Sequence, residues 1–454
     1  VLVVGLARTG VAAALFCAAR GARVTASDAR SEAELGEIVT RLRAVGCALE
    51  LGGHTVPTFT SQDLIVPSPG VPVGLPALVA ARSAGIPVWS EVELASRFLR
   101  GRLVAITGSN GKTTTTALVG HILAGAGMPV IVAGNIGTPL ISCVDQFSDG
   151  GVTVAEVSSF QLELIDSFRP GVAVMLNLTP DHLDRHASFE DYCRAKLRLF
   201  ENQTERDFAV LNADDPVVAA HAPSGPQVRW FSRKRRVAAG ASLRDGKIVF
   251  RDDAGETVLL DRADIGLRGE HNVENVLAAA AACWLMGASA SAIAAGVRSF
   301  PGVEHRLEFV AEIGGVQFFN DSKATNVDAA LKAITAFPGG LYVILGGKDK
   351  GSDYTPLVDP LRHRARLVLL VGTAAEKIDA QIGGRFPVMY AATLDRALTL
   401  AYERAKPGDT VLLAPACASF DQFENYEHRG RVFKQLVHAL EAAHAPAAPA
   451  ARKS

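Results

Sequence analysis

Apolar and polar positions alternate in blocks that predict strand, glycine turn, helix and strand, over and over along the chain. Residues 1–4 are wholly apolar, as expected of a strand buried on both faces. Gly5-Leu-Ala-Arg-Thr-Gly10 follows, then a helical run over 11–20 stopped by Gly21, and a second strand over 22–27 ending at Asp28. Residues 63–66 form another strand, running into Pro67-Ser-Pro-Gly70. A second block opens with a strand over 103–107, enters Gly108-Ser-Asn-Gly-Lys-Thr113 and continues as a helix to Leu123; buried strands are expected at 152–156 and 172–177. A third block starts near Phe300, with strands over 341–345, 367–371 and 410–414. This alternation predicts parallel sheets with helices on both faces. Segment 223–267 differs: short apolar runs separated by polar turns predict antiparallel hairpins attached to the central block.

The 454 residues suggest about three domains at roughly 150 residues each. The expected division is 1–92, 93–299 and 300–441, with an Ala/Pro-rich tail, 442–454, expected to be disordered. Forty-six basic against 47 acidic residues leave a formal charge of −1, which argues against a protein built to grip nucleic acid or an anionic membrane. The basic cluster Arg233-Lys-Arg-Arg236 then reads as a solvated surface. The uncharged stretch 276–297 is Ala-rich and broken near Gly287, so two packed helices are expected there and no membrane span. Six scattered cysteines with no CxxC pair fit a reducing compartment, where they act as small core residues. With no signal-peptide pattern in the sequence given, a cytoplasmic setting is expected.

The central loop carries the strongest chemistry. Glycines let backbone amides curl around a phosphate, and the N-terminus of the following helix adds partial positive charge. Lys112 can reach outer phosphates, and the Thr113 hydroxyl suits Mg²⁺. Glu156 at a strand end and His182 after another suit a divalent cation that also touches substrate oxygens; taken singly, each reads equally well as ordinary polar capping. The first glycine loop is more open. Ala7 stands where a dinucleotide fingerprint has its second glycine, so a nucleotide, NAD and a ligand-free tight turn all remain, with Asp28 placed for a ribose or base contact.

In order, the chain also carries Gly134-Asn-Ile-Gly137, Glu156-Val-Ser-Ser-Phe-Gln-Leu-Glu163, Asp181-His-Leu-Asp184, Tyr192-Cys-Arg-Ala-Lys196, Gly269-Glu-His-Asn272, His305-Arg306, Asn320-Asp-Ser-Lys-Ala-Thr-Asn326 and Pro415-Ala-Cys-Ala-Ser419. With the two loops and Ser68-Pro-Gly70, this ordered set resembles the Mur ligase family over nearly the whole chain, and within it the members that add D-glutamate.

The resemblance implies three α/β domains: a Rossmann-like N-terminal one, a central P-loop-type one with a small antiparallel region, and a C-terminal Rossmann-like one. It implies an ATP-dependent peptide-bond-forming ligase, in which ATP phosphorylates the carboxylate of UDP-N-acetylmuramoyl-L-alanine and D-glutamate displaces phosphate through a tetrahedral intermediate. By resemblance, Gly108, Ser109, Asn110, Gly111, Lys112, Thr113 and Thr114 hold phosphates, and Asn272, Arg306, Asp321 and Lys323 complete the ATP site. Thr113 and Glu156 would hold one Mg²⁺, and His182 and Lys196 a second; Lys196 would be carbamylated by CO₂, although by itself it reads as a surface lysine on an amphipathic helix. Arg8, Thr9, Asp28, Arg30, Ser68, Gly70, Asn135, Ser158 and His182 would hold the UDP-linked substrate, and Thr325, Lys350, Ser419 and Tyr426 the D-glutamate. Lys348 competes with Lys350 for the last role, and Ala7-Arg8 departs from the family's first loop. A monomer is expected, with a third domain that swings in to exclude water. The rival readings are a sibling or folylpolyglutamate-type ligase using another amino acid or acceptor, an NAD-dependent oxidoreductase, and a nucleotide-gated interaction module without chemistry.

Overall fold

The computed structural model describes residues 1–146, 150–183 and 185–444. Among the described residues three sheets form, each preceded or flanked by helices, in an α/β architecture. The first contains β1 (Leu2–Val4), β2 (Thr25–Asp28), β3 (Ala48–Leu51) and β4 (Ile65–Pro67), all parallel in the order β3-β2-β1-β4. The second contains β5 (Arg102–Thr107), β6 (Val130–Gly134), β7 (Val152–Glu156), β8 (Val172–Met175), β9 (Phe208–Asn212), β10 (Gln227–Ser232), β11 (Gly240–Arg244), β12 (Lys247–Asp252) and β13 (Gly255–Asp261). Its order is β13-β12-β11-β10-β9-β8-β5-β7-β6. Val104, Ala105 and Ile106 of β5 are wholly buried, as the apolar run requires. Each such Val or Ile contributes about 1.5–3 kcal/mol over its exposed state.

The hairpin expectation for 223–267 needs correcting. β10 is parallel to both β9 and β11; only β11, β12 and β13 form an antiparallel meander. The short parallel connection is held by Asp214, whose carboxylate accepts from the Ser232 hydroxyl (2.6 Å) and the Arg233 amide (2.7 Å). The basic cluster there is a solvated surface, with Lys234, Arg235 and Arg236 exposed and ion pairs from Arg233 to Glu274 and from Arg236 to Glu256.

The third sheet contains β14 (Glu308–Ile313), β15 (Val316–Asn320), β16 (Leu341–Gly346), β17 (Ala365–Val371), β18 (Val388–Ala392) and β19 (Thr410–Leu413), in the order β14-β15-β19-β16-β17-β18. Every pairing is parallel except β14 with β15. The described residues divide into two compact units: one within 1–266 together with 273–300, and one comprising 267–272 together with 301–444. Residues 267–272 pack with the second unit.

The Ala-rich stretch folds as two helices, Glu270–Leu285 and Ala290–Ser299, parted at Gly287 (φ +92°). Among the described residues no helix is long and apolar enough to cross a membrane. All six cysteines are unpaired and buried. The last helix, Tyr426–His444, takes in the first residues of the segment expected to be loose, and 445–454 lie outside the described residues.

Candidate active site

In a parallel sheet, ligands gather outside the carboxyl ends of the strands. The carboxyl ends of β5, β6, β7 and β8 bring together most of the first unit's candidates. The loop after β5 turns at Gly108 (φ +148°) and Gly111 (φ +87°), and the helix Lys112–Gly125 starts directly behind it. A Cβ on Gly111 would lie 2.3 Å from the Asn275 Oδ1, so only glycine fits. Asn177, just past β8, clasps the loop: its Oδ1 accepts from the Asn110 amide (2.8 Å), its Nδ2 donates to the Asn110 carbonyl (3.0 Å), and its own carbonyl accepts from the Ser109 amide (2.9 Å). The Ser109 hydroxyl meets the Thr179 carbonyl and the Tyr192 hydroxyl, each at 2.8 Å. Lys112 folds back on the Gly108 and Ser109 carbonyls, both at 2.8 Å.

Thr113 donates its hydroxyl to Glu156 Oε2 at 2.7 Å, and Asn135 Nδ2 donates to Glu156 Oε1 at 3.0 Å. Glu156 is buried. A buried carboxylate met by neutral donors, one of them a hydroxyl that can turn its lone pairs outward, fits a hard cation that takes oxygen ligands. No three His, Cys, Asp or Glu side chains gather as a metal cage among the described residues.

Lys196 lies on the helix Phe189–Leu197, fully buried, and corrects the surface-lysine reading. Its Nζ donates to the Gly108 carbonyl (3.0 Å) and the Thr107 hydroxyl (3.3 Å). Burial, and then the charge of Lys112, push its ammonium well below the ordinary lysine range. His182 is half-exposed in a left-handed conformation (φ +53°), its ring edge-on to Phe160 at 5.1 Å, with Asp181 Oδ2 3.7 Å from Nε2. Asp184 of the same motif lies outside the described residues. Ser158 caps the short helix Ser159–Leu162 through a reciprocal pair of bonds with Gln161.

The first loop is built on β1. Gly5 has φ +83°, and a Cβ on Gly10 would lie 1.9 Å from the Gly5 carbonyl oxygen. Both Asp28 oxygens are engaged: Oδ2 accepts from the Leu6 amide (2.6 Å) and Arg30 Nη2 (2.8 Å), and Oδ1 from Arg30 N (2.9 Å) and Nε (3.0 Å). Burial pulls this carboxyl up, but the Arg30 and Leu6 bonds prevail and hold it at about 2. With its oxygens so engaged, Asp28 braces the loop and aims Arg30, a poor arrangement for the ribose contact of an NAD site. Ser68 donates to the Gly5 carbonyl at 2.7 Å. Arg8 reaches the Gly137 carbonyl (2.6 Å) beside Asn135, and Arg185 reaches the Gly70 carbonyl (3.2 Å). Thr9 sits in the first turn of the helix that follows.

The second unit's candidates collect at the carboxyl ends of β15, β19 and β16. Asp321 follows β15, buried; burial pushes its carboxyl up to about 7 despite Arg306 and the Leu307 amide. His305 (φ +65°) and Leu307 (φ +42°) hold Arg306 between two left-handed residues, strain of about 1–3 kcal/mol each that the surrounding structure must offset. Lys323 stands 5.2 Å from the Tyr426 ring centre. Asn272 Nδ2 donates to the Arg268 carbonyl (2.6 Å). Thr325 is partly buried, Ser419 is buried, and Lys348 and Lys350 are exposed.

Sequence reasoning missed the braces. Buried Arg429 binds the Ser322 hydroxyl (2.9 Å), the Ser322 carbonyl (2.8 Å) and the Cys417 carbonyl (3.2 Å), tying the loops that carry Asp321 and Ser419. Burial lowers its pKa to about 10. Asn177 and Tyr192 do the same for the phosphate loop. Only the polar residue after an apolar strand hinted at Asn177; nothing local marked Arg429.

Comparison with known proteins adds to this geometry. The chain matches the Mur ligase MurD-like N-terminal domain over residues 1–90, the Mur ligase middle domain over 106–283 and the Mur ligase glutamate ligase domain over 305–417. It is 57% identical to the UDP-N-acetylmuramoylalanine–D-glutamate ligase of Acidobacterium capsulatum, over 96% of this chain and 95% of that one. The enzyme of the same description from Koribacter versatilis is 53% identical, over 97% of each chain. Among solved structures, a pseudomurein peptide ligase type C from Methanothermus fervidus superposes with a TM-score of 0.61 at 20% identity, covering 97% of this chain and 99% of that one. The UDP-N-acetylmuramate–alanine ligase of Thermotoga maritima gives 0.60 at 18%, with the same coverage. At such identities the structural likeness speaks for the fold.

Proposed function

The chain belongs to the Mur ligase family, as an ATP-dependent ligase that joins D-glutamate to UDP-N-acetylmuramoyl-L-alanine in peptidoglycan synthesis, and from this premise we propose how its residues divide the work. The observation that carries the proposal is the convergence of Lys112, Thr113, Asn135, Glu156 and Lys196 at neighbouring strand ends.

Carboxylate and triphosphate repel each other, so cationic and amide groups must bring them together. Lys112 leaves the Gly108 and Ser109 carbonyls to meet the β- and γ-phosphates, with loop residues 108–114 around them. Thr113 and Glu156 would hold one Mg²⁺, and His182 and a modified Lys196 a second. When bound, Mg²⁺ supplies neutralisation of charge on the transferring phosphoryl group. Arg8, Thr9, Arg30, Ser68, Gly70, Asn135 and Ser158 hold the UDP-linked acceptor, with Asp28 aiming Arg30. An acceptor carboxylate oxygen attacks the γ-phosphorus, and ADP leaves. The uncharged amine of D-glutamate then attacks the acyl carbon, the tetrahedral adduct loses a proton, and phosphate departs with the oxygen it took from the carboxylate. Thr325, Lys350, Ser419 and Tyr426 hold the glutamate carboxylates. Asn272, Arg306, Asp321 and Lys323 act on ATP, and water must be kept from the acyl phosphate.

Lys196 suits carbamylation for an electrostatic reason. A buried, uncharged amine is the form that attacks CO₂, with loss of one proton, and the product replaces repulsion from Lys112 by attraction. Enzyme equilibrated with ¹³C-bicarbonate should show a carbamate carbon signal that Lys196→Met removes; an unchanged signal would discard the modification. For the ligase itself, phosphate release from ATP should require both the UDP-linked acceptor and D-glutamate. Release that ignores the amino acid, or that prefers L-glutamate, would overturn the assignment.

A further inference from the structure

The loop after β16, Gly347-Lys-Asp-Lys-Gly351, holds an acid between two lysines, and the reading above uses only one of the lysines. Asp349 turns inward, whereas Lys348 and Lys350 are exposed. Its Oδ1 accepts from the Ser352 amide (3.2 Å) and the Tyr354 hydroxyl (2.8 Å), and its Oδ2 from Lys377 Nζ (2.7 Å). Tyr354 is wholly buried and its hydroxyl also lies 3.0 Å from Cys417 Sγ. Since the tyrosine proton goes to Asp349, the thiol of Cys417 donates to the tyrosine oxygen. Cys417 stands two residues before Ser419. The backbones join independently: the Lys348 amide donates to the Ala418 carbonyl (2.8 Å) and the Ala418 amide to the Lys348 carbonyl (3.2 Å). A Cβ on Gly347 would lie 2.3 Å from the Ala418 carbonyl oxygen, so the two loops cannot approach this closely with any other residue there.

One carboxylate therefore fixes the turn on both sides of Lys350 and, through Tyr354, ties it to the loop of Ser419. We infer that Asp349 is the positioning residue of the D-glutamate site, holding Lys350 and Ser419 in register so that the ammonium and the hydroxyl meet one amino-acid substrate. This rests on the placement of D-glutamate at Lys350 and Ser419 proposed above. Asp349 is suited to the task. Against the pull of burial, the Lys377 and Tyr354 bonds hold its carboxyl at about 2, so it stays ionised throughout the working range and its anchor does not titrate away. It touches no substrate in this reading and acts through Lys350. Lys350 lies between the two residues, Asp349 and Ser352, whose mutual bond closes the turn.

A double-mutant cycle on the full-length enzyme tests this, with KM for D-glutamate, ATP and the UDP-linked acceptor measured for each member. Lys350→Ala and Asp349→Ala should each raise KM for D-glutamate on the order of tenfold, with the other two KM values unchanged. In the Lys350→Ala background, Asp349→Ala should add less than about twofold, because a positioning group has nothing left to position. Full additivity, or a rise in all three KM values, would overturn the inference in favour of a general structural role. If Lys350→Ala leaves KM for D-glutamate unchanged, the placement of the substrate fails and this inference with it. If Lys350→Ala raises it and Asp349→Ala does not, the placement stands and only the inference fails. Should Asp349→Ala not fold, as judged by thermal unfolding, the isosteric Asp349→Asn takes its place in the same cycle and is read by the same criteria.

Discussion

The two glycine loops of the first unit share a plan and end in opposite states. Each follows a buried strand, turns at a left-handed glycine, precedes a helix of 12 or 14 residues, and has a carboxylate at the end of a neighbouring parallel strand. At the first loop that carboxylate, Asp28, lies on the Leu6 amide and is locked by Arg30. At the second, the carboxylate is Glu156, which meets the Thr113 hydroxyl, while Lys112 sits on the loop's own carbonyls. An acid on a loop amide takes up that one donor and leaves Arg8, Arg30 and the neighbouring hydroxyls to meet a UDP-linked substrate; an acid on a hydroxyl at the rim leaves room for a cation between itself and a phosphate. Where the neighbouring acid lands decides what a glycine loop can bind, and the glycines alone do not.

The largest test of this contrast lies behind the second loop. Lys196→Met keeps the length of the side chain but cannot carry a carboxylate, and turnover should fall about 10²–10³-fold with little change in unfolding temperature. Retained turnover would mean that the loop works without a charge behind it. Gly111→Ala should come next. The left-handed turn and the contact with Asn275 cost about 1–3 kcal/mol, read as a rise of about tenfold in KM for ATP by steady-state kinetics.

Much of this contrast was legible in the sequence, and its limits are physical. Strand–turn–helix order is local, so the loops, the paired helices around Gly287 and the strands of the third sheet follow from periodicity and glycine placement. The contents of the loops depend on pairings across the fold. Asp28 has its partner two residues away, but an acid at a strand end serves equally as ligand or as brace, and only the occupied oxygens separate the two. The parallel pairing of β10 with β11 was hidden because it depends on Asp214, distant in sequence from the connection it holds. Arg429 lies over a hundred residues from Ser322, which it braces, and no motif marks it.

Smaller effects belong to the first loop. Asp28→Asn should destabilise the protein by about 1–2 kcal/mol at pH 7. The folded carboxyl sits at about 2, below an unfolded value of about 3.9, so its contribution is fully present above the unfolded value and is lost as pH falls through the folded one. Urea unfolding across that window should find wild type and variant converging at the acid end. A difference that persists unchanged to the acid end would mean that the load does not come from the ionised carboxylate. Ser68→Ala, which removes one bond to the Gly5 carbonyl, should cost about 1 kcal/mol in the same assay.

The most direct test of the ligase account follows an oxygen atom. Acceptor labelled with ¹⁸O in its alanyl carboxylate is supplied with ATP and D-glutamate, and the released phosphate is weighed by mass spectrometry. One labelled oxygen per phosphate is the result predicted for attack of that carboxylate on the γ-phosphorus. Unlabelled phosphate, formed at the rate of product, would contradict it.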